Sequence, residues 1–222
     1  MILVRTGSAG TARPQSAHRR ALSVAAKRVL DLGFVLALLP LALPLMAILA
    51  LTIRRDGGPA FFGHARIGRH GRTFRCWKLR TMVPDAETAL AAHLAADRDA
   101  AAEWARDYKL TDDPRVTRLG RFLRRTSLDE LPQLLNVARG DMSVVGPRPV
   151  TVAELSKYDG FSWVYLAVKP GLTGLWQVSG RNDVDYAARV ALDVDYHASR
   201  SFVGDVAIIA RTGRAVLART GR

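Results

Sequence analysis

The sequence of 222 residues combines a strong positive charge with an apolar composition. It carries 33 lysine and arginine residues against 20 acidic residues, a formal net charge of +13, while 49% of its residues are hydrophobic. An unstructured basic tail would be far less apolar, and the single cysteine, Cys76, excludes a disulfide scaffold and a four-cysteine zinc site. A reducing, cytosol-facing compartment is compatible with one cysteine. The composition suggests a membrane surface or a polyanionic partner.

The first candidate element is a stretch of 22 residues, 32–53, that contains no charged side chain. As one helix it would be about 33 Å long, enough to cross the hydrocarbon core of a bilayer. Lys27 and Arg28 precede it, and Arg54 and Arg55 follow it. Because basic residues favour the cytoplasmic side, we expect both ends on that side, at an anionic leaflet.

Two prolines near the middle of this stretch, Pro40 and Pro44, would each remove a helical hydrogen bond and kink the chain. We therefore predict a monotopic, re-entrant helix–break–helix over residues 27–55, broken near Pro44. A plain kinked span and a buried core helix are the alternatives. The basic residues 1–26 are predicted to form a flexible tail, and residues 56–222 a cytosolic domain.

The remaining sequence predicts a small α/β domain with a β-hairpin and amphipathic interfacial helices. In chain order, we expect strands over 60–67 and 73–81, helices over 85–110, 118–125 and 128–138, a rigid loop at 146–149, and helices over 152–158 and 183–199. In the last twenty residues, apolar side chains are mixed with arginines, which is typical of a helix lying at a membrane interface.

The densest cluster of reactive side chains lies at residues 124–133, where Asp129 and Glu130 follow several arginines. Ser127 and Glu130 have the spacing of a capping box, so a structural role alone explains acids at a helix start. Functionally, the arginines and the helix N-terminus would keep Asp129 ionised and able to attack a phosphoryl group, while Glu130 could hold Mg²⁺. The pattern by itself favours neither interpretation.

Other basic residues suit the oxygens of a phosphate group. Lys78 and Arg80 lie two apart on a predicted strand and therefore share one face. Arg148 stands between two prolines that restrict its backbone, and Arg181 lies in a glycine-containing stretch, 170–182, that could approach a nucleotide closely. The sequence has no P-loop, no dinucleotide-binding fingerprint and no HExxH or GxSxG motif, and its histidines lack metal-ligand spacing.

Short motifs follow one another along the chain in a specific order. They are Lys27-Arg28 with Asp31, Gly58-Pro59 with Phe62, Lys78-Leu79-Arg80-Thr81-Met82, Asp113-Pro114-Arg115-Val116-Thr117, Thr126-Ser127-Leu128-Asp129-Glu130-Leu131-Pro132-Gln133, Gly140-Asp141-Met142-Ser143, Val145-Gly146-Pro147-Arg148-Pro149, Pro170-Gly171-Leu172-Thr173-Gly174 and Gln177-Val178-Ser179-Gly180-Arg181. Over roughly residues 24–215, the chain resembles the bacterial sugar transferase family, the monotopic polyprenol-phosphate phosphoglycosyl transferases. It looks most like the members that initiate exopolysaccharide synthesis.

The resemblance implies that a UDP-hexose, galactose or glucose, donates sugar 1-phosphate to undecaprenyl phosphate, which gives undecaprenyl-diphosphate-sugar and UMP. By motif position Asp129 would be the nucleophile that forms a covalent phosphosugar intermediate, and Glu130 would carry the cofactor Mg²⁺. By resemblance, Arg124, Arg148 and Arg181 match family arginines near the phosphates, and Lys78 matches the lysine of the family's Lys-x-Arg-Thr-Met motif.

The resemblance also implies a location, the bacterial inner membrane, with the catalytic domain at residues 56–222 on the cytoplasmic face. Pro44 matches the family's helix-breaking proline, although Leu43 stands where some members have a serine. Because larger relatives carry further N-terminal transmembrane helices and another domain, we expect this chain to be a minimal catalytic form. A homodimer is compatible with the family, and no nucleic-acid partner is expected.

Two interpretations without catalysis stay open. The charge alone would also suit a membrane-tethered binder of polyanions, or a scaffold protein within a polysaccharide assembly. A binder would show an affinity that falls steeply with salt and would show no turnover. A scaffold would keep its function when Asp129 is replaced.

Overall fold

The N-terminal helix α1 spans Ala17–Ile53 as one element that contains both Pro40 and Pro44. It is part of a computed structural model that describes residues 17–107, 110–179 and 185–217. Residues 17–26 of the predicted tail belong to this helix, and the flexibility of the tail stays a prediction. The helix continues through both prolines, and a change of direction near Pro44 stays a prediction.

After α1 the chain forms a β-hairpin, followed by short helices around a second pair of strands. The strands are β1 (Phe61–Ile67), β2 (Thr73–Leu79), β3 (Ser143–Val145) and β4 (Gly171–Thr173). The helices are α2 (Ala86–Ala96), α3 (Arg98–Asp107), α4 (Arg118–Thr126), α5 (Gln133–Arg139), α6 (Val152–Leu155), α7 (Ser162–Leu166), α8 (Leu175–Val178), α9 (Tyr186–Ser199) and α10 (Phe202–Leu217). The architecture is therefore mixed α/β, as predicted.

The predicted hairpin is confirmed: β1 and β2 pair antiparallel, with Phe62 opposite Lys78. The single helix expected over 85–110 is divided into α2 and α3, because Asp97 leaves the helical conformation and its carboxylate accepts hydrogen bonds from the first backbone amides of α3. The parallel pairing of β3 with β4 was not predicted. It joins the loop at 146–149 to the glycine-containing stretch that begins at residue 170.

One narrow side of α1 is buried against the rest of the protein. Its buried residues recur at spacings of three, four or seven, which at 100° per residue places them within about 60° of arc. This buried stripe consists of Asp31, Val35, Ala42, Met46, Leu49 and Ile53. The other sides expose apolar side chains such as Leu36, Leu41 and Leu51. Among the described residues, α1 alone is long and apolar enough to cross a membrane.

Basic residues near the start of α1 bind the domain. Lys27 Nζ lies 2.6 Å from Asp205 Oδ2, and the guanidinium of Arg28 donates hydrogen bonds to the carbonyl oxygens of Val137 and Ala138. The last two carbonyls lie in the final turn of α5, where a cation is favoured by the helix dipole. These side chains therefore bind the domain and not an anionic leaflet, whereas the location of this end of the helix stays a prediction.

The central part of the core lies between α1, α5 and β3. Val35, Ala42 and Met46 from the buried stripe share one hydrophobic cluster with Leu134 of α5 and Cys76 of β2. A second cluster joins the end of α1 to β2 and α4, through residues that include Leu49, Ile53, Leu79 and Leu123. Both clusters support β2, which carries Lys78.

Gly120 allows α4 to approach the chain that leaves β2. A Cβ at this position would lie 2.0 Å from the carbonyl oxygen of Thr81, a backbone atom that can move away only if the chain after β2 moves with it.

We expect Gly120→Ala to lower the free energy of unfolding by about 1–3 kcal/mol, because overpacking forces the backbone apart. Gly213→Ala in α10 is the control: nothing lies within 4 Å of that site, so added helix propensity should leave stability unchanged or higher. Chemical denaturation of both variants in detergent compares the two; equal effects would contradict the packing argument.

Candidate active site

Asp129 and Glu130 lie together on one tight turn. α4 ends at Thr126, and Ser127 has a positive φ of 57°, which lets the chain leave the helix. A 3-10 turn over Leu128–Glu130 follows, so the helix predicted to begin at residue 128 begins later, at Gln133. A positive φ at a residue other than glycine is uncommon and marks a backbone position that the surroundings hold in place.

The capping box expected from Ser127 and Glu130 is absent. The Ser127 side chain accepts no capping hydrogen bond, and the Glu130 carboxylate reaches across to β2. Helix capping therefore does not explain the two acids. The nearest charged group to them is instead a lysine on the partly buried strand β2.

Lys78 of β2 joins the two carboxylates. Its Nζ lies 2.6 Å from Glu130 Oε1 and 3.6 Å from Asp129 Oδ2. The Asp129 side chain is 11% exposed, against 35% for Glu130, so the aspartate is the more protected from water. The structure thus brings together three residues that the sequence analysis assigned to the site, and their individual roles stay predictions.

The electrostatics of the carboxylate cluster, defined as Lys78, Asp129 and Glu130, differ from the expectation. Burial raises the pKa of the Asp129 carboxyl; Lys78 and Arg124 oppose that shift, whereas Glu130 adds to it. Burial alone would lower the pKa of Lys78, but the charges of Glu130 and Asp129 raise it above the usual value. We expected neighbouring basic residues to favour ionised Asp129, but desolvation outweighs them.

Asn136, which the sequence analysis missed, fixes the strand that carries Lys78. Asn136 is fully buried in α5; its Nδ2 donates to Arg75 O at 2.7 Å, and its Oδ1 accepts from Trp77 N at 3.1 Å. The side-chain amide thus pairs with the free edge of β2 as a neighbouring strand would. An asparagine within an apolar helical segment is the signal that could have revealed it.

Two predicted phosphate-binding arginines lie near the carboxylate cluster. Arg124 Nε donates to Thr81 Oγ1 at 2.9 Å, and its charge acts on Asp129. Arg148 is exposed between Pro147 and Pro149 in the irregular loop that was predicted, and its charge acts on Lys78. Arg148 forms no hydrogen bond or ion pair with another residue inside the described ranges, so its guanidinium is available to a ligand.

Arg80 lies apart from this cluster. Its guanidinium forms a double ion pair with Asp56 at 2.5 and 2.9 Å, and it donates further hydrogen bonds to the carbonyls of Pro59 and Met82. These contacts attach the end of α1 to the chain after β2, and they occupy the donors that a phosphate would need. Arg181 lies outside the described residues.

The glycines that were expected to approach a nucleotide approach the protein's own backbone. A Cβ at Gly171 would lie 2.1 Å from Gly146 N, and one at Gly174 would lie 2.3 Å from Gly146 O. These close contacts let β3 and β4 lie side by side. At Gly171 and Gly174 the close approach is therefore to Gly146, and an approach of the stretch 170–182 to a nucleotide stays a prediction.

Glu130 is the residue that the resemblance assigns to Mg²⁺. No group of three His, Cys, Asp or Glu side chains suitable for a metal occurs in the part of the chain that the structure describes. Magnesium often binds through only one or two protein carboxylates, completed by substrate phosphates and water. Glu130 fits that arrangement as a single carboxylate ligand, since its side chain is 35% exposed and can be reached by a metal that substrate phosphates and water complete.

The sequence profile of the bacterial sugar transferases matches residues 22–219. The chain belongs to this family. It is 52% identical over 195 residues to the undecaprenyl-phosphate galactose phosphotransferase of Salmonella typhimurium, which covers 88% of this chain and 41% of that protein. This sugar transferase thus spans about two fifths of the length of that relative.

Two shorter relatives are covered over most of their length. The exopolysaccharide production protein ExoY of Rhizobium meliloti is 49% identical over 197 residues, which is 88% of this chain and 87% of that protein. The UDP-glucose:undecaprenyl-phosphate glucose-1-phosphate transferase of Caulobacter vibrioides is 41% identical over 211 residues, 91% of this chain and 73% of that protein. The names of these relatives associate the family with undecaprenyl phosphate, two hexoses and exopolysaccharide.

Proposed function

We propose that this sugar transferase moves hexose 1-phosphate from a UDP-hexose, galactose or glucose, to undecaprenyl phosphate, in the first membrane step of exopolysaccharide synthesis. Relatives named for each hexose support the substrate class. The observation that carries the proposal is the carboxylate cluster: a protected Asp129 lies beside a second carboxylate and an ammonium group in a chain of this family.

The reaction proceeds in two displacements at one phosphorus atom. A carboxylate oxygen of Asp129 attacks the β-phosphorus of the UDP-hexose; the bond from that phosphorus to the bridging oxygen breaks, and UMP leaves with the electron pair. An oxygen of undecaprenyl phosphate then attacks the same phosphorus. The bond to Asp129 breaks, undecaprenyl-diphosphate-hexose leaves, and the carboxylate is restored.

Basic side chains assist these displacements. Lys78 favours the ionised form of Asp129, which is the form that can attack. Arg148, whose donors are available, and Arg124 stabilise the phosphate oxygens on which negative charge collects. A magnesium ion held by Glu130 would neutralise further charge on the diphosphate and on its leaving group.

The placement of α1 supports a monotopic attachment, with the domain on the cytoplasmic face of the inner membrane. Asp31 and Ile53, about 33 Å apart along the helix, both belong to the buried stripe. A helix crossing the bilayer away from the domain would contact it at one end only. Exposed Phe202, Val203 and Val206 on α10 provide a second apolar surface for the interface.

A UMP-release assay with a panel of UDP-sugars tests the function. We expect release by the detergent-solubilised protein when undecaprenyl phosphate is present, with UDP-galactose or UDP-glucose as the best donor. Release that needs no lipid acceptor at multiple turnovers would contradict the transfer step. No release from any UDP-sugar would favour the scaffold or polyanion-binding interpretation.

Lys78→Met tests the electrostatic role of the lysine. Removing its charge raises the pKa of Asp129 further, and the attacking form is lost as the pH falls through that pKa. The acid limb of the plot of kcat/KM against pH should therefore move to higher pH, so that the loss of activity relative to the wild type grows as the pH falls. Lys157→Met, which removes a charge from an exposed lysine, is the control and should leave the acid limb in place. An unmoved acid limb in Lys78→Met would contradict this role.

A further inference from the structure

A cleft of about 420 Å³ lies between the last turn of α1 and the first turn of α4. Ile53, Met82 and Leu119 provide apolar lining, and Arg55 and Arg118 provide positive charge. None of the residues of the carboxylate cluster lines it. The cleft is therefore a separate feature of the molecule, with an apolar wall and a cationic rim.

Its two arginines have no partner within the part of the chain that the structure describes. Arg80 also borders the cleft, but Asp56 neutralises its charge. Arg55 and Arg118 are both exposed, and neither forms an ion pair or hydrogen bond with another described residue. Two positive charges without a counter-charge therefore border the same apolar surface. This arrangement suits an anion that carries a hydrocarbon chain.

The position of the cleft matches the depth of lipid head groups. The apolar outer surface of α1 extends to Ile48 and Leu51, which are 62% and 70% exposed, and Arg55 follows one turn later. With these side chains in the hydrocarbon, the cleft opens where the phosphates of the same leaflet lie.

We propose that this cleft binds the head-group phosphate of an anionic phospholipid of the bilayer. Arg55 and Arg118 contact the phosphate, and the first methylenes of the acyl chains cover Ile53, Met82 and Leu119. The site is distinct from that of the lipid acceptor, whose phosphate must reach Asp129. Beyond Leu119, which lines the cleft, seven further residues of α4, about 10 Å of helix, lead to the turn that carries Asp129.

The test measures lipid binding without any sugar nucleotide, so it does not depend on the proposed reaction. The full chain in neutral detergent is titrated with phosphatidylglycerol, with phosphatidylcholine or with inorganic phosphate, and the unfolding midpoint gives the dissociation constant. We expect phosphatidylglycerol to raise the midpoint more than the other two. The double variant Arg55→Gln/Arg118→Gln should bind it about 30-fold more weakly, about fivefold for each arginine.

Arg69→Gln/Arg72→Gln is the matched control, since it removes two exposed charges from the turn between β1 and β2. The start of β1 pairs with the end of β2, next to the cleft residue Arg80. The turn lies at the opposite end of the hairpin, about 20 Å away along β1, which is well beyond the screening length at physiological salt. Unchanged binding in the control supports the site, whereas an equal loss in both double variants would overturn it. An equal response of the wild type to inorganic phosphate would also overturn it, because a simple anion site would then suffice. If the double variant does not fold, Arg55→Gln and Arg118→Gln are measured separately. Each should bind phosphatidylglycerol about fivefold more weakly than the wild type does.

Discussion

Asp129→Asn should abolish the covalent sugar-phosphate adduct and lower kcat by at least about 10⁴-fold, since a carboxamide cannot supply the attacking oxygen. Asparagine has nearly the shape of aspartate, and the residue is only 8% exposed, so the turn should be preserved. The adduct is measured by incubating the protein with UDP-hexose labelled in the sugar, without lipid acceptor, and counting label that remains bound after denaturation.

Glu130→Gln distinguishes the role of the proposed metal ligand from that of the proposed nucleophile, Asp129. This variant retains Asp129 and should still form adduct, but it should lose most of its magnesium-dependent turnover, because one carboxylate of the proposed metal site is removed. Normal adduct formation by Asp129→Asn would contradict the nucleophile assignment. Loss of adduct in both variants would need a folding control, for which the unfolding midpoint of each variant is compared with that of the wild type.

Asp31→Leu should lower the free energy of unfolding by about 4 kcal/mol. Asp31 is 2% exposed, and its Oδ1 accepts hydrogen bonds at 2.8 Å from both Ser143 Oγ and Val144 N. Leucine leaves these two buried donors without an acceptor, at a cost of about 1–3 kcal/mol each. Chemical denaturation in neutral detergent gives the change, with m-values compared to check that the transition stays two-state.

Asp31→Asn is the matched control for that experiment. An asparagine carbonyl oxygen can occupy the place of Oδ1 and accept both hydrogen bonds, though more weakly than a charged oxygen. We expect a loss of about 1–2 kcal/mol, clearly smaller than that of the leucine variant. Equal losses in the two variants would show that something other than these hydrogen bonds makes Asp31 important.

Local patterns in the sequence predicted much of this structure. Two candidate strands separated by a glycine-containing turn predicted the hairpin of β1 and β2, and two prolines predicted the irregular loop around Arg148. The family resemblance named Lys78, Asp129 and Glu130 as residues of the site, but the ion pairs that join them come from the structure. The position of Lys78 on a predicted strand and the pair of acids at 129–130 do not by themselves indicate that the strand contacts the turn.

The wrong predictions concern partners that are distant in sequence. Arg80 looked like a phosphate ligand because its strand position resembles that of Lys78, yet Asp56, 24 residues away, occupies its guanidinium. Lys27 looked like a lipid anchor because of its place beside an apolar segment, whereas Asp205 near the other end of the chain pairs with it. A capping box of Ser127 and Glu130 was one of two open interpretations, and Glu130 instead pairs with Lys78, 52 residues away. Tertiary contacts decided each case, and local sequence cannot reveal them.

The buried stripe of α1 has a consequence for attempts to make a water-soluble form of the protein. Val35, Ala42 and Met46 pack in the same cluster as Cys76 and Leu134, so deleting the helix would open the core directly beneath the strand that carries Lys78. Solubilisation should therefore retain the helix and replace its outward leucines with polar residues that favour helix formation. The membrane-facing side and the domain-facing side of one helix can thus be engineered independently, because they lie on different arcs of its surface.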